Sequence, residues 1–168
     1  MTKQTKVILI VSAVVVGGLF FVMILLILAA VAIPAMQTTV RKGNEASAMN
    51  ALKFINTEEQ VYNMTYPEKG FACSLTSLGG SSQSGPATPD AAQLIPSDLA
   101  SGHKSGYTFA VSNCVKVTIK GQDHVISYKL TAVPDVVGKT GERGYCTTEE
   151  NQIRFDPKGG TNCTELLQ

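Results

Sequence analysis

The sequence predicts an α+β protein, in which one long N-terminal helix is apolar in its first half and amphipathic in its second. The second half packs on an antiparallel sheet of three to four strands. Three observations predict this. Residues 7–33 form an uncharged apolar run of 27 residues. Ala48, Leu52, Ile55 and Tyr62 then recur at helical spacing. From Tyr107 onward, apolar and polar residues alternate with period two.

Within the apolar run only Ser12, Gly17 and Gly18 are not clearly apolar. As a helix it would rise about 40 Å, against roughly 30 Å for the hydrocarbon core of a bilayer. The expectation is a transmembrane helix over residues 1–34 and a second domain over residues 35–168. A secretory signal peptide is the alternative, because Ala29-Ala30-Val31-Ala32 resembles a cleavage site. The apolar part of such a peptide is usually only about 7–15 residues long. Lys3 and Lys6 precede the run, and Arg41 and Lys42 follow it, so the positive-inside count is nearly balanced. The cysteines break the tie. Cys73, Cys114, Cys146 and Cys163 all follow the run, and an even number in a small domain implies two disulfides and an oxidising compartment. The reading is a single-pass membrane protein with a cytoplasmic N-terminus and a periplasmic or cell-surface domain.

The helix is expected over residues 5–62, bent or weakened at Pro34 and Gly43 and closed by Tyr66-Pro67 and Gly70. Residues 78–89, rich in Gly, Pro and Ser, read as a surface loop. Residues 91–99 allow a short helix broken at Pro96. Tyr107-Phe109-Val111, Val115-Val117-Ile119 and the run 125–133 predict three strands in a meander, with Gly121-Gln122-Asp123 as a hairpin turn. Residues 152–155 are the candidate fourth strand. Ala48, Leu52, Ile55 and Tyr62 provide the face that covers the sheet. Four cysteines allow three connectivities. Position favours Cys146–Cys163, closing a C-terminal loop, with Cys73–Cys114 tying the long loop to the second strand.

Charge and motifs exclude several functions. After Lys3 and Lys6, 12 basic and 13 acidic residues remain, a net charge of −1 that gives no case for nucleic acid. No nucleophile elbow, zinc-protease motif or phosphate-binding loop occurs. His103 and His124 lie in or beside turns and read as solvated. They are not near neighbours, and no cysteine pair has CxxC spacing, which argues against zinc. Glu58-Glu59 and Glu149-Glu150 read as solvated charge. Asn63-Met64-Thr65 and Asn162-Cys163-Thr164 match the glycosylation pattern. Gly17 and Gly18 permit close helix approach. The reading is not enzymatic, with no cofactor and no small-molecule substrate.

The order of these features resembles type IV pilins and type II secretion pseudopilins. Leu28-Ala29-Ala30-Val31-Ala32-Ile33-Pro34 is similar to the end of the pilin apolar half-helix. Asn44-Glu45-Ala46-Ser47-Ala48, Ile55-Asn56-Thr57-Glu58, Tyr66-Pro67 with Gly70-Phe71-Ala72-Cys73, and Ser105-Gly106-Tyr107-Thr108-Phe109 extend the likeness into the domain. The resemblance implies a structural subunit of a pilus-like filament or pseudopilus, self-associating through the N-terminal helix. The alternative is a permanently membrane-anchored, pilin-derived domain that binds a ligand or partner. The resemblance also raises calcium in the C-terminal loops, with Asp135, Glu142, Glu149, Glu150 and Asp156 as oxygen donors, although their spacing matches no familiar ligand loop. The chain departs from the family at the processing site. Counting back from Pro34, Ser12 stands where the family has its cleaved glycine, Ala13 at the new terminus and Gly17 at the glutamate.

Overall fold

The structure, a computed structural model, describes the backbone of residues 3–80 and 85–167, and their side chains except at 3–13 and 29–35. The first element, α1, is a single helix, Lys3–Thr65. It ends where Pro67 both lacks an amide and disfavours helical geometry at Tyr66. The Tyr66 amide still reaches the Tyr62 carbonyl at 2.8 Å, and Gly70 then turns the chain at φ 76°. Gly43 lies inside α1 with open space where a Cβ would stand.

The chain divides into two compact units, residues 1–39 and 40–168. In the first, every described side chain is exposed, including Leu19, Phe20, Phe21 and Leu26 at 61–67%. Among the described residues no helix is long and apolar enough to cross a membrane. The expected transmembrane helix, and with it the single-pass location with a cytoplasmic N-terminus, is corrected on this finding. The expectations resting on residues 7–13, on the Ala29–Ala32 stretch and on the Pro34 side chain lie outside the described residues.

The second unit is built on a six-stranded antiparallel sheet in simple sequence order: β1 His103–Lys104, β2 Tyr107–Ile119, β3 Gln122–Pro134, β4 Gly144–Thr148, β5 Arg154–Asp156 and β6 Glu165–Leu166. Six strands replace the three to four expected. The first two expected strands are in fact one, since β2 runs 13 residues without a turn. The register instead shifts between Ser112 and Lys116, where Asn113 adopts φ 51°. A bulge there absorbs the break that the sequence pattern shows. The hairpin turn is Lys120-Gly121, one residue earlier than expected. Both have positive φ, 52° and 82°, the geometry that matches a two-residue turn to the twist of its strands.

The core lies between the later part of α1 and the sheet. Ala48, Ala51, Leu52, Ile55 and Tyr62 meet Tyr107, Phe109, Tyr128, Leu130, Ala132 and Tyr145. Two short helices, α2 Leu75–Leu78 and α3 Ser97–Ala100, add Leu75, Leu78 and Leu99 to this core. Ser74 caps α2, its hydroxyl accepting from the Ser77 amide. The helix expected over 91–99 forms only after Pro96. The preceding residues are not helical: Gln93 adopts φ 59°, and the amides of Ala92, Gln93 and Leu94 donate to the carbonyls of Ser77, Gly79 and Leu78. The structure pairs Cys73 with Cys114 and Cys146 with Cys163, the pairing that position favours. On the loop-entropy model the two bridges contribute roughly 4 and 3 kcal/mol.

Candidate functional site

Two regions concentrate what the chain presents or holds fixed: the apolar stretch 14–28 of α1, and the polar seam that fixes the later part of α1 to the sheet. Along residues 14–28 all side chains are exposed, so the apolar surface covers every face of the helix. A helix that is apolar all round requires a non-aqueous neighbour on all sides. Gly17 and Gly18 lie in this stretch with nothing within 4 Å of where a Cβ would stand, so the backbone is open to close approach.

The seam begins at Glu45, which is 7% exposed on α1. Its Oε1 accepts from the backbone amides of Glu142 at 2.9 Å and Arg143 at 3.3 Å. Its Oε2 accepts from Arg143 Nη2 at 2.8 Å, Arg143 Nε at 3.2 Å and the Tyr145 hydroxyl at 3.1 Å. Burial pushes the Glu45 pKa up, but the bonds from Arg143, Glu142 and Tyr145 outweigh it and leave it below the ordinary carboxylate value. The Arg143 guanidinium also lies 5.7 Å from the Tyr145 ring centre and 5.3 Å from that of Phe155. Arg143's carbonyl accepts from the Tyr107 hydroxyl at 3.0 Å. The result is one charged group on α1 bonded to β4 and the loop before it, with Tyr107 of β2 joined through the Arg143 carbonyl. Nearby, Asn44 donates to the Thr140 carbonyl at 2.9 Å, and Arg41 pairs with Glu142 at 2.6 Å.

Further along α1, Asn56 is fully buried. Its amide donates to Thr147 Oγ1 at 3.1 Å and the Thr148 carbonyl at 2.7 Å, and its oxygen accepts from the Tyr128 hydroxyl at 3.1 Å. Glu59 follows one turn later, also at 0% exposure. Its Oε2 accepts from the Ala72 amide at 2.8 Å, while Oε1 is buried without a partner among the described residues. Burial raises its pKa to about 8. The reading of Glu58-Glu59 as solvated charge is thus corrected for Glu59, which faces the core. Burial likewise pushes Tyr62 up to about 12 and raises Tyr107, Tyr128 and Tyr145 further.

The residues expected to pack helix on sheet, Ala48, Leu52, Ile55 and Tyr62, all lie in this core. His103 is exposed and sits 4.0 Å from Asp135, and His124 is half-buried near the hairpin turn. The five carboxylates considered for calcium are dispersed. Asp135 accepts from Thr108, Glu142 pairs with Arg41, Glu149 accepts from Ser127, and Asp156 accepts from the amides of Lys158 and Asn162. Among the described residues no three His, Cys, Asp or Glu side chains gather as a metal site. Asn63 is half-buried on α1, and Asn162 is exposed beside Cys163.

Glu45, Asn56 and Arg143 are given no role by sequence reasoning, and Glu59 is misplaced by it. The signal for three of them is present. Positions 45, 48, 52, 55, 56, 59 and 62 form one stripe at spacings of three and four, so polar members of that stripe must also face the sheet. No signal in the sequence singles out Arg143. Comparison with protein families, with curated proteins and with solved structures finds no match to this chain.

Proposed function

We propose that this chain is a structural subunit of a type IV pilus-like filament or type II secretion pseudopilus, assembled by packing copies of α1 along residues 14–28. The observation that carries the reading is the all-round apolar surface of that stretch, on the same helix whose later part is locked to a disulfide-bonded sheet. A helix of this kind is stabilised when like helices bury it. Each large apolar side chain so covered contributes about 1.5–3 kcal/mol. Gly17 and Gly18 let neighbouring backbones approach. With Gly17 where the resembling family carries a glutamate, association in this chain runs on apolar packing rather than on a buried carboxylate paired with a neighbour's terminal amine.

The sheet domain supplies rigidity. The carboxylate of Glu45, the amide of Asn56 and two disulfides fasten it to the helix and close its loops, as a subunit that transmits load requires. The test is electron microscopy of the sheared fraction of cells expressing the full chain, with antibody against residues 40–168. Filaments decorated by that antibody, and lost in Phe20→Lys, support the reading. A chain that yields no fibres at any expression level, or fibres unaffected by Phe20→Lys, overturns it.

A further inference from the structure

We propose that Glu59 is a proton-dependent latch: protonated, it holds residues 69–73 against the edge of β3, and its ionisation loosens that segment from the sheet. The geometry carries this. Glu59 stands on α1 at 0% exposure, and among the described residues the group bonded to it is the Ala72 amide, at 2.8 Å from Oε2. Its other oxygen is buried with no partner among those residues. A carboxylate placed so would have one donor and no counter-ion, whereas a neutral carboxyl leaves one polar oxygen unpaired, a smaller cost than a bare buried charge. The titratable groups that feel it are Tyr62 on α1 and Tyr128 on β3, both phenols. From the segment itself the facing group is the Ala72 amide. Outside these, Asp90, Glu68 and Tyr66 act on Tyr62, and Glu149 acts on Tyr128, and none of them is cationic. Nothing in this set favours the ionised form except the amide.

The segment that Glu59 holds is the one that covers the β3 edge beyond the end of β4. The Phe71 amide donates to the Val125 carbonyl at 3.0 Å, and the Val125 amide to the Lys69 carbonyl at 2.8 Å. Phe71 also stacks edge-on against Tyr128, with ring centres 5.1 Å apart. β4 pairs with β3 over Lys129 to Ala132 alone, so residues 69–71 cap the rest of that edge near Val125. The Cys73–Cys114 bridge keeps the segment tethered when the latch opens, so the motion is a local loosening. Opening bares backbone groups of β3 at Val125, the kind of strand edge on which another chain can pair.

The experiment is hydrogen exchange by NMR on the full, disulfide-intact chain between pH 5 and 8, with the Glu59 side-chain carbon titrated in the same sample. Protection of the Phe71, Ala72 and Val125 amides, corrected for intrinsic exchange, is expected to fall roughly tenfold per pH unit. Leu130 and Ala132, which open only with the whole domain, are expected to remain more strongly protected throughout. Glu59→Gln is expected to flatten the pH dependence of all three amides. A Glu59 carbon that titrates below pH 6 overturns the proposal. So does wild-type protection that is independent of pH, or the same slope in Glu59→Gln. Should that variant not fold, the wild-type carbon titration and amide slopes decide alone.

Discussion

Replacing Glu45 by alanine removes an acceptor that serves five hydrogen bonds at one buried point of α1. The donors are orphaned in different degrees. The Tyr145 hydroxyl is buried, the Glu142 and Arg143 amides are half-buried, and the Arg143 side chain is 38% exposed and regains water. Breaking a fully buried ion pair costs about 3–5 kcal/mol, and the exposed guanidinium places this case at the lower end, about 3 kcal/mol. Glu45→Gln keeps the volume and one acceptor, and is expected to cost about half as much. Urea unfolding of the full chain with disulfides intact, followed by far-UV circular dichroism, reads the change. For a chain of this size the alanine variant's midpoint should fall by about 1–3 M.

The pH dependence provides a second reading from the same experiment. The folded pKa of Glu45 lies below its ordinary value of 4.5, so its contribution is complete above that pH and is lost as pH falls through the folded value. Glu45→Gln should therefore differ from wild type at pH 7 and converge with it under acid. A loss under about 1 kcal/mol for Glu45→Ala at pH 7, or a difference that persists unchanged into strong acid, would refute the carboxylate's role as anchor.

Three further outcomes are expected. Leu52→Asp places a charge at a 0%-exposed position against the sheet, and should cost more than about 4 kcal/mol and abolish the trypsin resistance of residues 40–168; unchanged resistance would sink the helix-on-sheet packing. Glu59 behaves opposite to Glu45: with a folded pKa of about 8 against 4.5 ordinarily, its contribution is full below 4.5 and falls toward pH 8 by about 1.4 kcal/mol per unit, so Glu59→Gln should stabilise at pH 7 and not at pH 4, as measured by thermal melts. Gly70→Ala meets both a φ of 76° and the Val125 carbonyl, and should cost about 2 kcal/mol or more, seen as a melting temperature several degrees lower; an unchanged melt would contradict the close approach.

The helix-on-sheet arrangement is legible because helical period and strand alternation differ so plainly between residues 48–62 and 107–133. The buried polar residues are harder to see in the same pattern. Glu59 stands beside the exposed Glu58, and its place between Ile55 and Tyr62 on one stripe is what sends it inward. β4 escapes because Gly144–Thr148 is short and buried on both faces, so it has no alternation to reveal it. The polar break at Ser112-Asn113-Cys114 suggests two strands in place of β2, where a bulge is enough. The apolar length of the N-terminal run suggests a membrane span, whereas among the described residues no helix is long and apolar enough for one. Arg143 sits in a glycine-rich loop in sequence, and only the fold brings it to Glu45, 98 residues away.

The central claim is that copies of this chain associate along residues 14–28. Leu19, 67% exposed in the single chain, is the position to probe. A Leu19→Cys variant, assembled and then oxidised, should yield a covalent dimer through the new thiol while the two native disulfides remain intact. A thiol at that position that stays fully available to an alkylating probe, with no dimer formed, would contradict the account.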